Sequence, residues 1–456
     1  MIKFYRSVVI FLSFISIVSV LGTTEHIPNN LILLPLIFLC LFLIFPSFSR
    51  YMFNNLGITV LNFTMLLRYI VSPLLMSIYG SNIQIGTPIG LSTQSHAIYL
   101  MVYEMIILFM VFGIFHKYFY SNKVEFDNVK SKSNLFGWLF VILVLALALR
   151  DPSSIGRYSF IWSASQLNND ELANVSLVAL LVQLAQIVLT IGILNIVYKF
   201  YEKRPNIFYL FVSLIIIMIS ASFIVGTSRS SIIIPLITGL FTIYILYKNY
   251  RKIITALSSI LVLLIVIVST LLKQSTNIVI GRGLYHSAGT LENFNTDIQI
   301  YFSGLSNIAH SVETSHIYEP FSYYAILGDL THSVVFINQY FTNFQSAIES
   351  FNNMFYKRVG MNDQILPLLG QGYLYFGPIL APIFSVITLF IVMLLDKNIY
   401  KSTSVFSLYV YAYLCVKFSL FFMSNATILL SFFTNFFLVL LVIKLLNQKI
   451  IIKRRK

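Results

Sequence analysis

The stretch Ala173–Tyr198, ANVSLVALLVQLAQIVLTIGILNIVY, contains no charged residue and is followed directly by Lys199. Roughly 20 consecutive apolar residues carry an α-helix across about 30 Å of hydrocarbon, and such a helix satisfies every backbone polar group internally. The segment therefore reads as a membrane span. The same pattern recurs at 4–21, 31–48, 57–79, 97–115, 135–149, 206–224, 231–247, 253–272, 366–395, 402–423 and 427–446, which predicts about twelve spans. Composition agrees. Charged residues make up 10% of the 456-residue chain, against about 25% in ordinary soluble domains, too few to cover a water-facing surface. The fold class expected is all-α, a polytopic helix bundle forming a single membrane domain over 1–456. No small-x-small cleavage pattern follows the first run, so it reads as a retained span, not a signal peptide.

Orientation follows from Lys and Arg, which accumulate in cytoplasmic loops. With the N-terminus inside, 21 of the 30 basic residues fall in inner segments and seven in outer ones. Both termini are therefore expected to be cytoplasmic. The net charge of +14 reflects this topology, and nucleic acid is not an expected partner. Cys40 and Cys415 both lie in apolar runs, which argues against a disulfide framework or a thiolate metal site. No cofactor or metal is expected. The segment 273–365 is a large extracytoplasmic loop between spans 9 and 10. Within it Ile337, Phe341, Phe344, Ile348, Phe351 and Phe355 recur in steps of four and three, the spacing of one apolar helix face. This predicts an amphipathic helix lying on the outer membrane surface or capping the bundle, with the core helix of a small subdomain as the alternative.

Charges inside spans are costly and are expected to face a cavity or a partner. Arg68, Glu104 and Lys417 are of this kind, and at 1.5 Å per residue all three fall between the midplane and the outer face. They are candidate substrate-binding groups lining an outward-facing polar cavity; a structural Arg68–Glu104 ion pair is the competing reading. Gly226-Thr227-Ser228-Arg229 forms a short outer turn that places one guanidinium at the membrane boundary, where its planar fork of donors suits a lipid-linked phosphate. Arg157, Arg282 and Arg358 are further outer arginines. Several arginines beside a carboxylate or imidazole suit glycosyl transfer from a diphosphate-linked donor: the cations neutralise the leaving group and one base takes the acceptor's proton. His286, Glu313 and Asp329 are the candidate catalytic groups. The nucleotide-binding Gly-rich loop with Lys, the zinc motif H-E-x-x-H and the hydrolase elbow G-x-S-x-G are all absent from the sequence, which leaves the energy for any chemistry to the substrate or a gradient.

Three stretches carry a resemblance: Gly226-Thr-Ser-Arg229, Tyr301-Phe-Ser-Gly304-Leu-Ser-Asn307, and Gly370-Gln-Gly-Tyr-Leu-Tyr-Phe-Gly377. With the many-span plan and one large outer loop, the chain resembles bacterial oligosaccharide repeat-unit polymerases of the Wzy type, which act in O-antigen and capsule assembly. The resemblance implies a multi-pass protein of the bacterial cytoplasmic membrane. It would join undecaprenyl-diphosphate-linked oligosaccharide repeat units on the outer face, alongside a flippase and a chain-length regulator. Arg229 matches the Gly-Thr-Ser-Arg element; Arg157, Arg282 and Arg358 match only as outer-loop arginines. The chain departs from the R-x10-G pattern of some members, and Gln371 stands where some carry an acid. A glycan ligase, an acyltransferase of the same pathway and a lipid-oligosaccharide flippase or other transporter are the competing functions. A flippase should show two similar halves and short loops throughout, and neither is present in the sequence.

Overall fold

The computed structural model describes residues 2–23, 27–82, 86–120, 129–151, 158–160, 177–225, 230–257, 290–302, 304–357 and 364–453. It is helical apart from one short antiparallel pairing. In chain order the main helices are α1 (Ile2–Leu21), α2 (Leu33–Ile44), α3 (Leu56–Tyr79), α4 (Leu91–Phe119), α5 (Leu135–Arg150), α6 (Leu177–Lys203), α7 (Ile207–Ser222) and α8 (Ser230–Leu246). They continue as α9 (Thr290–Tyr301), α10 (Leu305–Ile317), α11 (Tyr323–Thr331), α12 (Ala347–Tyr356), α13 (Leu368–Leu380), α14 (Ile383–Tyr400), α15 (Val405–Ser419), α16 (Ala426–Phe432) and α17 (Leu438–Lys453). Strand β1 (Tyr158–Phe160) pairs antiparallel with β2 (Phe223–Val225).

Among the described residues, six helices are long and apolar enough to cross a membrane: α1, α3, α4, α6, α14 and the Ala426–Gln448 helix formed by α16 and α17. A seventh candidate is Ser231–Leu246 with Lys248–Leu257, bent by 106°. The apolar helices at Asn29–Ile44, α5, α7 and α15 are shorter. Large apolar side chains such as Phe4, Phe11, Phe14, Ile142, Leu149, Phe208 and Ile219 stand exposed on these helices, as a lipid-facing surface requires. The chain is thus a multi-pass membrane protein built as a helix bundle.

Contacts divide the chain into two compact units: 1–122, 284–396 and 417–433 form the first, and 123–283, 397–416 and 434–456 the second. In the second, α5 to α8 pack in sequence. Gly192 lets the Trp138 ring approach the α6 backbone, where a Cβ would stand 2.9 Å from it. Thr190 and Ser220 hydroxyls meet at 3.0 Å, and Tyr247 bonds Ser213 at 2.7 Å. In the first unit, Asp396 on α14 accepts from the backbone N–H groups of Gly57 and Ile58 at 2.8 and 3.2 Å, and from the Tyr120 hydroxyl at 3.0 Å. It thereby supplies, from another helix, the acceptor for orphan N–H donors at the start of α3.

Two expectations from the sequence are corrected here. The Ile337–Phe355 periodicity does not form one helix. Phe336 and Asn343 take φ of +70° and +55°, a conformation that interrupts any helix of L-residues, and α12 begins only at Ala347. Its apolar residues Phe351 and Phe355 are fully buried against Leu366, Leu374 and Tyr375, so this helix is a core element and does not lie on a membrane surface. The run 366–395 is likewise not one span. Gly377 has φ +77°, and the Ala381 carbonyl returns so close to Gly372 that a Cβ there would collide with it. In a straight helix residues nine positions apart are separated by ~13 Å. The chain therefore reverses at Gly377-Pro378, and the helix of spanning length is α14.

Candidate functional site

The polar centre of the first unit is built from the long segment between α9 and α13. α9 and α10 form a tight hairpin. Gly304 donates its N–H to the Gln299 carbonyl at 2.7 Å, and a Cβ at Gly304 would sit 2.7 Å from the Gln299 backbone. Only glycine fits this turn. α10 then runs between α4, α12 and α13, and Asn307, His310, Ser311 and Thr314 are all fully buried on it. Such groups must find partners inside. Ser311 and Thr314 donate to the Asn307 and His310 carbonyls. Asn307 donates to the Ile300 carbonyl at 3.1 Å and accepts from Gln364 at 3.1 Å. Gly370 on α13 packs directly on Ser311, with no room for a Cβ between them.

His310 is the most enclosed titratable group of this region outside the spans. Its Nδ1–H donates to the Ser306 carbonyl at 2.8 Å, which leaves Nε2 as the acceptor facing the Thr87 hydroxyl at 3.3 Å. The Phe355 ring lies against it at 4.6 Å. Burial pushes its pKa down to about 4, opposed by the bond to the Ser306 carbonyl, by the Thr87 backbone and by the nearby Glu313 charge; the imidazole is neutral at ordinary pH. Sequence reasoning placed the catalytic histidine at His286, not here.

Asp329 sits at the end of α11, where its carboxylate accepts from the Ser346 hydroxyl at 2.6 Å, the Ala347 N–H at 2.5 Å and the Tyr375 hydroxyl at 2.9 Å. Its own carbonyl accepts from Thr427. Burial raises its pKa while these three donors and His332 oppose the rise. Asp329 thus caps α12 and anchors Tyr375, and its oxygens are already engaged. Gln371 extends the network to Tyr375 at 3.1 Å, to Thr427 at 3.3 Å and to the Ala426 N–H at 2.7 Å. Glu313 is half-buried and accepts from Thr93 at 3.2 Å.

Beside this network lies a cleft of about 650 Å³. It is lined by the 318–323 loop with Ser315 and Ile326 on one side, and by Tyr373–Pro378 with Leu380 on the other. The floor is the Tyr375 ring, held by Asp329; Glu319 stands exposed at the rim. Of the three stretches singled out in the sequence, Gly370–Gly377 lines or borders this cleft, and Tyr301–Asn307 leads into α10, which packs on α13.

Of the in-span charges, Arg68 and Glu104 form an ion pair at 3.0 Å, with side chains 1% and 0% exposed. Arg68 lies on a π-helical turn of α3, Leu67–Val71. Its guanidinium stacks on Phe422 at 4.3 Å and on Tyr69 at 5.3 Å. Glu104 accepts from the Ser385 hydroxyl at 2.5 Å and from the Tyr69 hydroxyl at 3.4 Å. The pair is enclosed by these groups and carries no net charge. Lys417 is placed 5.6 Å from the Phe432 ring. Arg157, Arg229, Arg282, Arg358 and His286 lie outside the described residues. Comparison with known protein families, curated proteins and solved structures finds no match for this chain.

Proposed function

We propose that the chain polymerises undecaprenyl-diphosphate-linked oligosaccharide repeat units into surface polysaccharide on the outer face of the bacterial cytoplasmic membrane. The observation that carries this reading is the packing of α10, which the second stretch opens, against α13, which carries the third. Gly304 closes the α9–α10 hairpin, Gly370 admits α10 against α13, Gly372 admits Ala381, and Gly377 turns the chain. Gly304, Gly370 and Gly372 thus admit close contacts and Gly377 a left-handed turn, the last three on a helix that borders a cleft of small-ligand size. In this reading the four shorter apolar helices and the separate runs at 231–247 and 253–272 also span, which with the six long helices gives twelve spans with cytoplasmic termini. Arg229, Arg157, Arg282 and Arg358 handle the diphosphates, and Arg68 with Glu104 holds α3 to α4. Asp329 positions Tyr375 and leaves proton transfer to another base; Glu313 and His286 remain the candidates.

A deletion strain examined for glycan length tests the reading. Loss of a polymerase leaves single repeat units on the surface, loss of a ligase leaves long chains on the lipid carrier, and loss of a flippase traps units inside. Arg229→Ala is expected to keep the protein at normal membrane levels and to produce the single-unit phenotype. Long glycan at normal levels in that variant refutes the role of Arg229.

A further inference from the structure

The cleft between the 318–323 loop and the Gly377 reversal has a composition that selects its occupant. The Tyr375 ring stands 6.1 Å from Phe321 at 73° and 6.0 Å from Phe376 at 80°. These rings meet edge to face, so they build a corner of aromatic walls that a ligand can enter without breaking a closed stack. Tyr375 is fixed by its bond to Asp329. The polar groups are the Ser315 and Ser322 hydroxyls, the Tyr318, Tyr323 and Tyr373 hydroxyls and the Glu319 carboxylate; no Lys, Arg or His occurs among the described lining residues, and the His96 ring meets Tyr373 edge to face at 6.0 Å.

Three ligand chemistries can be weighed against this. A saturated lipid chain makes no use of the hydroxyls, and lying against Glu319 it would strip water from an unpaired carboxylate. A phosphate or a uronic acid would meet that negative charge with no Lys or Arg among the described lining residues to neutralise it. An uncharged sugar satisfies both features: its C–H face lies on an aromatic ring, and its hydroxyls donate to the carboxylate, which only accepts. The volume also falls within the roughly 300–1,000 Å³ of small-molecule sites.

We propose that this cleft is a subsite for an uncharged sugar at the non-reducing end of the lipid-linked acceptor, with Tyr373 and Phe321 as stacking surfaces and Glu319 as hydroxyl acceptor. The assignment rests on the polymerase reading above and deepens it. It divides the substrate into two parts: the sugar lies against the carboxylate, and the diphosphate belongs with the arginines and not in this cleft.

The test uses the full chain in its own membrane with the photoreactive residue p-benzoylphenylalanine in place of Tyr323, a cleft residue that is 85% exposed. Irradiation followed by mass spectrometry of the tryptic adduct is expected to show hexose-type fragments on the 323 peptide. Glu319→Gln and Tyr373→Ala are expected to shorten the modal glycan several-fold, and Tyr373→Trp to restore it, at equal membrane levels of protein. An adduct carrying only acyl or isoprenyl chains overturns the proposal in favour of a lipid groove. Absence of any adduct, or normal glycan length in both loss variants, also overturns it. The two readings fail separately: a deletion strain with long glycan removes the polymerase reading, whereas a sugar adduct on the 323 peptide would still mark the cleft as a glycan site.

Discussion

Glu104→Gln removes one charge while keeping the shape of the side chain. In the native fold the Arg68–Glu104 separation is 3.0 Å and the two side chains are 1% and 0% exposed. Two unit charges at that distance attract by about 5.5 kcal/mol at an effective dielectric of about 20. Much of this is offset by the cost of dehydrating both ions. Once Glu104 is neutral, the guanidinium stays buried with its Nε already lacking an acceptor, and its remaining stabilisation is the faces of Phe422 and Tyr69. The expected loss is about 3–5 kcal/mol, the range for removing one partner of a buried pair. Replacing both residues, R68M/E104M, removes the stranded charge and keeps the volume filled, so the double variant should recover to within about 1 kcal/mol of the native protein. The assay is the unfolding free energy of purified protein titrated with SDS in mixed micelles, followed by circular dichroism. The reasoning fails if E104Q loses less than about 1 kcal/mol, or if the double variant is no more stable than E104Q. Glycan length adds a second readout. A stable R68M/E104M protein that yields only single-unit glycan would return Arg68 to the substrate-binding role considered from sequence.

The glycines of α13 should differ by what they meet. Gly372→Ala presses a methyl group into the Ala381 carbonyl, part of the backbone, whereas Gly370→Ala meets the Ser311 hydroxyl, which can rotate away, and the Ser311 Cβ at 2.7 Å, which must shift with α10. Overpacking of this kind costs about 1–3 kcal/mol, with G372A at the upper end and G370A at the lower; equal effects in SDS titration would contradict the close packing described. Gly377 has open space around it but a φ of +77°, so Gly377→Ala should lose about 1–2 kcal/mol through backbone strain alone. His310 predicts an acid-side instability. It is neutral in the fold down to about pH 4, while the unfolded chain takes up a proton near the ordinary histidine pKa of about 6.5. Its contribution is therefore complete above about pH 6.5 and is lost as pH falls toward 4, by about 3 kcal/mol at 1.36 kcal/mol per pH unit. Asp329 is raised, so its contribution is instead lost as pH rises. The native-minus-H310Q difference isolates the histidine. A difference that stays flat between about pH 7 and 4.5 refutes the buried neutral imidazole.

The spans were readable because lipid imposes one strong rule, continuous apolar length, and α1, α3, α4 and α6 lie close to the runs at 4–21, 57–79, 97–115 and 173–198. The departures arise where backbone conformation outweighs apolar content. Gly377-Pro378 is a visible breaker, yet the apolar run across it hid the reversal. Phe336 and Asn343 gave no comparable warning, since nothing in their residue types demands a positive φ. Asp396 was overlooked for another reason: its partners at Gly57, Ile58 and Tyr120 are hundreds of positions away, and no local pattern encodes a cap supplied by a different helix. The burial of His310 is of the same kind. Its position in a hydrophilic loop suggested solvent, whereas packing against Gly86 and Phe355 removes it from water.

The buried polar residues of α10 carry a further consequence for the large loop. A lid that merely covered a membrane chamber would leave Asn307, Ser311 and Thr314 facing water, where they need no internal partners. Here each is buried and bonded within the first unit, and leaving any of them buried without a partner would cost about 1–3 kcal/mol. The hairpin is therefore committed to its position against α4 and α13, and opening it would expose a seam of polar groups together with the apolar faces of Phe351 and Phe355. In the proposed function, substrate access then falls to the 318–323 loop, whose Glu319, Ser322 and Tyr323 stand exposed at the cleft rim. Under the proposed sugar subsite, variation in those rim residues can change which sugar is accepted without disturbing the enclosed network beneath, because Asp329 and Gln371 hold Tyr375 through bonds that the rim does not share.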